Sequence, residues 1–249
     1  MSPKTLSFIF GKSPNKILAF HGFGQDAHVF EGLKGKEVHS FDLWFHGHVE
    51  KIDREDATKE KWERAIEAYL DEKKLKKFSV IAFSIGAKPA LSLVDKHPET
   101  VEKLILIAPD GIRVNFWYKL ATGIGSPLFR YFIANPSPIQ KTLLFLKKIS
   151  FISSQTFKLA NQQSKNQALL QRVYDTWMGY KSFKFDFKEL AKKCNSNKIE
   201  VQFVLGEKDS IITRRHIQPF YKYLKNPSLV YLPTNHALLL KKYIQKIDS

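Results

Sequence analysis

Cysteine is almost missing from this chain of 249 residues, where Cys194 stands alone. No internal disulfide can form and no cysteine pair is present to hold a structural zinc, so stability has to come from packing. Long apolar runs are missing too. The longest are about half a dozen residues, far short of the ~20 needed to cross a bilayer, so no membrane span is expected. The first ten residues contain one lysine and the short stretch Ser7-Phe8-Ile9-Phe10, too little for a secretory signal, and the expected location is the cytoplasm. Acidic side chains are scarce: 24 Asp and Glu face 40 Lys and Arg, leaving a formal charge of +16 that should attract something anionic. Nucleic acid is not the expected partner, because the chain has no zinc-finger spacing, no RNP-like aromatic motif and no basic repeat. Internal repeats and low-complexity runs are absent as well. With 43% hydrophobic and 26% charged residues, the composition is that of a globular protein, which excludes disorder, collagen and coiled coil.

Four short apolar runs, Ile17 to Phe20, Phe78 to Phe83, Leu104 to Ile107 and Val201 to Leu205, are continuously hydrophobic rather than alternating. Strands covered by helices on both faces have this pattern. Between the first two lies Asp56 to Leu75, with Trp62, Ile66, Tyr69 and Leu70 on one helical face. A second helical stretch follows Ser84 and closes near His97-Pro98, and Thr213 to Leu224 and Ala237 to Ile247 supply others. The alternation predicts an α/β fold, a mostly parallel central sheet flanked by helices.

From Asp110 to Phe185 the alternation stops, and helix-like pieces are broken by Gly123, Gly125, Pro127, Pro136, Pro138 and Gly179. This insertion holds eleven Lys and Arg against Asp110 and Asp175, an excess of nine positive charges, and carries 14 of the 33 Phe, Trp and Tyr residues. Two domains are expected: a core of residues 1–109 and 186–249, and an insertion over 110–185.

The second strand ends in Ala82-Phe83-Ser84-Ile85-Gly86 and runs directly into a helix. That is a nucleophile elbow in outline, with Ala82 where a glycine is usual, and the small residues on either side of Ser84 let strand and helix approach. Alone, a serine before a helix is more often an N-cap. The first strong strand leads into His21-Gly22-Phe23-Gly24-Gln25, and with that turn the chain resembles the α/β-hydrolase superfamily over nearly its whole length. The resemblance implies a serine hydrolase with a helical lid. It places backbone N–H donors for an oxyanion at Phe23 and Ile85. Such prearranged donors contribute about 3 kcal/mol each where negative charge develops on a carbonyl oxygen. The fourth run continues into Gly206-Glu207-Lys208-Asp209, similar to the family turn that supplies the triad acid, and Asn235-His236 precedes the last helix as the family histidine does. Ser84, Asp209 and His236 stand in the chain order of this fold, as nucleophile, acid and base. Asp110, just past the Leu104 strand, ranks second as the acid, because some members of the superfamily place it there.

Asp42, His46 and His48 could be drawn as a metal site, but so short a motif is unspecific. Phe41 to His48 instead resembles the family's Asp-Leu-Pro-Gly-His-Gly loop, with Trp44-Phe45 in place of Pro-Gly. No metal and no cofactor are expected. His28, His39, His97 and His216 read as surface or core positions. Within the implied lid, Leu143-Leu144-Phe145-Leu146 and Phe129-Arg130-Tyr131-Phe132 could line an apolar tunnel. The expected substrate is therefore a carboxylic ester or thioester with an apolar acyl part and an anionic remainder. Carboxylated metabolites, coenzyme A thioesters, lysophospholipids and acyl groups on an acidic carrier protein all fit. The same triad can cleave carbon–carbon bonds or eliminate. A non-catalytic homologue that binds a ligand or docks on an anionic membrane through basic aromatic helices is the alternative of another class. Epoxide and haloalkane hydrolases of this fold use an aspartate where this chain has Ser84.

Overall fold

The computed structural model describes residues 6–49, 52–113, 118–119, 122–123, 125–135 and 166–248. The chain divides into two compact units, one of residues 1–113 and 182–249 and one of residues 114–181. The first unit thus keeps Asp110 to Arg113 and Ser182 to Phe185, four residues at each end that the sequence assigns to the insertion. Packing explains their place: Ile112 and Phe183 are buried, and the Phe183 ring meets Trp44 at 6.2 Å.

The first unit is built on a seven-stranded sheet of β1 (Ser7–Phe10), β2 (Lys16–Phe20), β3 (Glu37–Phe41), β4 (Phe78–Phe83), β5 (Val101–Ile107), β6 (Glu200–Gly206) and β7 (Ser228–Leu232). The order is β1-β3-β2-β4-β5-β6-β7, parallel throughout except where β1 pairs with β3. The four expected runs are the four central strands, and their side chains are buried almost without break. The edges were harder to read. β1 and β7 are half exposed, so they lack a continuous apolar run. β3 hides behind polar letters: buried His39 meets Tyr69 Oη at 2.7 Å and Glu37 at 2.9 Å, while Ser40 donates to Ala27 O at 2.7 Å. Satisfied in this way, polar groups tolerate a buried strand.

Helices α1 (Lys59–Glu72) and α2 (Ala87–Lys96) belong to this unit. The first starts where Thr58 caps it by accepting from Lys61 N, and it buries the expected Trp62, Ile66, Tyr69 and Leu70. In the second unit, α3 (Ser126–Ala134) packs on α4 (Gln167–Gly179) through Ile133, Leu170 and Tyr174. Phe129 is spent on this contact, with its ring 5.6 Å from Tyr174. The run Leu143 to Leu146 lies outside the described residues. Back in the first unit come α5 (Phe187–Ser196), α6 (Arg214–Tyr221) and α7 (His236–Ile247). α5 is not among the helices expected from the sequence, and Asp186 caps it by accepting from Lys188 N and Glu189 N. No helix among the described residues is long and apolar enough to cross a membrane.

Candidate active site

β4 is the middle strand of the sheet, and the chain leaves it through a single residue in the left-handed region, Ser84, at φ 51°. A non-glycine residue there costs about 1–3 kcal/mol and persists only where its surroundings enforce it. They do so here from two sides. The amide of Asp110, just past β5, donates to Ser84 O at 2.9 Å. On the other side the end of β2 lies so close that a Cβ on Gly86 would sit 2.4 Å from Phe20 O and 2.5 Å from His21 O. Only glycine fits at that crossing. The Ala82 that replaces the usual glycine is fully buried without needing such a close approach.

Two further turns arrive at the same edge of the sheet. After β6 the chain folds tightly through Gly206 to Asp209, and this turn is tied to the loop after β7. Glu207 N donates to Leu232 O at 2.9 Å and Lys208 N to Thr234 O at 3.1 Å, while a Cβ on Gly206 would meet Thr234 O at 2.5 Å. One residue on, Asn235 caps α7 by accepting from Leu238 N, which makes His236 the first residue of that helix. Asp209 and His236 are thereby brought together: Nδ1 lies 2.7 Å from Asp209 Oδ2, and Nε2 lies 3.2 Å from Ser84 Oγ. The Phe83 ring flanks the imidazole at 5.1 Å between centroids.

The carboxylate decides the tautomer. Facing Asp209, Nδ1 carries the proton and donates it, which leaves Nε2 with a lone pair directed at the serine hydroxyl. Asp209 itself is buried, and its other oxygen accepts from the amides of Ile211 at 2.8 Å and Ile212 at 3.0 Å. It is a turn residue and a histidine partner at once. Burial pushes its carboxyl upward, but the hydrogen bond and charge of His236 and those two amides prevail and hold it below the usual aspartate value.

Asp110, the second candidate for the acid, offers its amide to the elbow, while its charge acts on Lys88. Lys88 lies buried in α2, and burial pushes its ammonium downward while Asp110 opposes that shift. The His21 to Gly24 turn lies against the elbow, since a Cβ on Gly22 would be 2.6 Å from the Phe83 ring. Its shape is set by Gln25, whose Oε1 accepts from Gly22 N at 2.9 Å. Phe23, in this turn, and Ile85, one residue past Ser84, are the two predicted amide donors. Among the described residues the Phe23 amide donates to no backbone carbonyl. His21 is buried and serves the scaffold: Nε2 accepts from Leu43 N at 3.0 Å and Nδ1 donates to Gly22 O at 2.7 Å. Burial lowers its pKa, in keeping with a neutral ring.

The Asp42 loop is a closed knot. Asp42 Oδ1 accepts from Ala27 N at 2.8 Å, and Oδ2 accepts from His48 N at 2.8 Å and Nδ1 at 2.9 Å. The Gly47 backbone, at φ 52°, folds onto that carboxylate so closely that a Cβ would overlap it at 2.4 Å. Buried His46 directs Nδ1 to Trp44 O at 2.9 Å. Among the described residues no group of three or more His, Cys, Asp or Glu could hold a metal ion. The lone thiol, Cys194, is buried and pushed up to about 12 by desolvation, which makes it a poor nucleophile.

Sequence reasoning missed the groups that brace the site: Gln25, the Asp110 amide, the Ile211 and Ile212 amides and the Phe83 ring. The Asp110, Ile211 and Ile212 amides lie in no motif, so they leave no trace in the sequence. Gly22 and Gly86 were the signal for two of the close contacts.

A family model described as alpha/beta hydrolase fold matches residues 15–243. No curated protein matches the chain. Among solved structures it is similar to MGS-M2, an alpha/beta hydrolase enzyme from a Medee basin deep-sea metagenome library, at 15% identity over 98% of this chain and 92% of that one, with a TM-score of 0.67. A thermophilic esterase from Thermogutta terrifontis is 15% identical, covering 98% and 91% of the two chains at a TM-score of 0.66. An enol-lactonase from Burkholderia xenovorans LB400 is 13% identical over 98% and 95%, with a TM-score of 0.63. At these identities the likeness is one of fold.

Proposed function

We propose that this chain, which belongs to the alpha/beta hydrolase fold family, is a serine hydrolase that cleaves a carboxylic ester or thioester with an apolar acyl part and an anionic remainder. The observation that carries this reading is the hydrogen-bonded line from Asp209 through His236 to Ser84, the last held at φ 51° at the end of the central strand.

The roles follow from protonation chemistry. A serine hydroxyl attacks poorly while it keeps its proton, so the proton passes to His236 Nε2 as Oγ bonds to the carbonyl carbon. Asp209 holds the ring in the tautomer that can accept it and stabilises the imidazolium that results. The amides of Phe23 and Ile85 donate to the oxyanion. When the tetrahedral intermediate collapses, His236 returns the proton to the departing alcohol or thiol and an acyl-enzyme remains. Water then attacks the acyl carbon while giving one proton to His236, which passes it to Ser84 Oγ as the acyl–oxygen bond breaks and the acid leaves.

The insertion, with its aromatic and cationic excess, is the part we assign to substrate choice, and the reaction to the cytoplasm. Two of the similar structures are named as an esterase and an enol-lactonase, which agrees with ester chemistry on this scaffold. A panel of nitrophenyl esters of increasing acyl length tests the reading. Turnover that peaks at one acyl length and disappears in Ser84→Ala is expected. Equal turnover by the variant would overturn it.

A further inference from the structure

The triad uses none of the surplus charge, yet part of that charge gathers in one place on the first unit. Arg113, Arg214, Arg215 and Lys222, together with Gln218 and Pro219, line a cleft of about 460 Å³. Its size falls in the ~300–1,000 Å³ range of small-molecule sites. No acidic residue lines it, and none of the four cations has a carboxylate within ion-pair distance among the described residues. Such surfaces usually mix signs, since unscreened like charges repel.

The placement is also unfavourable for the helix. Arg214 and Arg215 are the first two residues of α6, whose first turn contains no acid. Cations there oppose the positive end of the helix dipole. His216, in the same turn, is held below the ordinary imidazole value by burial first and then by the charge of Arg113, with Arg215 adding to it and Asp110 opposing it. Two of the cations are seated on aromatic faces: the Arg214 guanidinium is 5.9 Å from the Tyr221 ring centroid, and Lys222 Nζ is 4.6 Å from that of Tyr223. Charges that repel one another and the helix end, yet are held at one cleft, match a ligand that brings several negative charges of its own. A single carboxylate needs one guanidinium. Three guanidinium forks and an ammonium suit phosphate oxygens.

The cleft also adjoins the reactive edge. Arg113 stands three residues past Asp110, whose amide is bonded to Ser84 O, and Arg214 stands five past Asp209. At 3.8 Å per residue these steps span at most about 11 and 19 Å. A ligand roughly 10–20 Å long therefore reaches both.

We propose that the Arg113–Arg214–Arg215–Lys222 cleft binds a phosphorylated group on the leaving half of the substrate, so that Ser84 acts on an acyl ester or thioester whose alcohol or thiol carries several phosphate charges. This rests on the reading of Ser84 as the nucleophile. Two arms keep the two claims apart. In the first, kcat/KM is compared between an S-acyl coenzyme A and the same acyl group on pantetheine, which lacks the phosphates. The native chain should prefer the phosphorylated thioester at least tenfold, and the preference should fall at least tenfold in Arg113→Gln/Arg214→Gln/Arg215→Gln. In the second, the Ser84→Ala chain is titrated calorimetrically with free coenzyme A and with inorganic pyrophosphate. Binding that the three substitutions abolish supports the cleft even if no ester is ever turned over. If the triple variant does not fold, Arg113→Gln alone is tested in both arms and should lower the preference and the affinity at least threefold. A preference that survives the substitutions overturns the proposal. So does a failure of both phosphate probes to bind while nitrophenyl esters are still cleaved, or cluster-dependent binding to anionic vesicles without binding of either soluble probe.

Discussion

Among the described residues two buried aspartates each hold a histidine, and only one of these histidines has a serine hydroxyl on its far side. Asp209 meets His236 Nδ1 at 2.7 Å, and Asp42 meets His48 Nδ1 at 2.9 Å. Both carboxylates also accept backbone amides, and both are held below the usual aspartate value against the upward push of burial. What separates them is the far side of the ring. His236 presents Nε2 to a serine hydroxyl at 3.2 Å, and its side chain is 18% exposed. The His48 side chain is 60% exposed, and its ring lies tilted at 44° to that of Phe8, 5.3 Å between centroids. An aspartate–histidine bond orients an imidazole. It becomes a catalytic device only where a third group waits for the proton.

Substitutions can break that contrast, and the largest effect should come from the third group. Ser84→Ala or His236→Ala should lower kcat roughly 10⁴- to 10⁶-fold, as removal of a triad member does elsewhere. His48→Ala should leave kcat within about twofold, since truncating an exposed side chain has small effects. Both are read from steady-state rates on a nitrophenyl ester. Next, Asp209→Asn should cost about 10⁴ in kcat, because an amide no longer fixes the tautomer. Asp42→Asn should instead lower stability by about 1–3 kcal/mol, since one of its amide donors then faces an NH₂ group. Urea unfolding reads the loss of stability, and steady-state rates distinguish the two.

A smaller effect is expected at the crossing that positions the elbow. Gly86→Ala forces a Cβ against the carbonyls of Phe20 and His21 and should cost about 1–3 kcal/mol or more, with activity lost in parallel. Gly24→Ala meets nothing within 4 Å and carries only the strain of φ 76°, about 1–2 kcal/mol. The smallest effect is in acid. Because the folded values of Asp209 and Asp42 are depressed, each contributes stability that is present above the unfolded aspartate value of about 3.9 and is lost as pH falls through the depressed one. The stability gap between native chain and either Asn variant should therefore narrow from pH 7 to pH 3.

Much of this was legible in the sequence, and the reason differs by element. The four central strands are buried on both faces, so their apolar runs announce them; β1 and β7 are edges with water on one side and have no such signature. The turns that bring Ser84, Asp209 and His236 together could be picked out because their shapes demand particular neighbours: Gly86 at the elbow, Gly206 before Asp209 and Asn235 at the helix cap. Asp42 shows the limit. Its spacing to His46 and His48 can be drawn as a metal site or set aside as unspecific, but nothing in it tells that the oxygens accept from the amides of Ala27 and His48 and from the His48 ring. Those long-range amide bonds belong to the fold alone.

Everything in the functional reading depends on Ser84 Oγ being the activated nucleophile. Intact-mass and peptide analysis after treatment with a fluorophosphonate tests it directly. The native chain should gain one adduct, located on Ser84, and both Ser84→Ala and His236→Ala should stay unlabelled over the same interval. Undiminished labelling of Ser84→Ala, or an adduct on any other side chain of the native protein, would contradict the account.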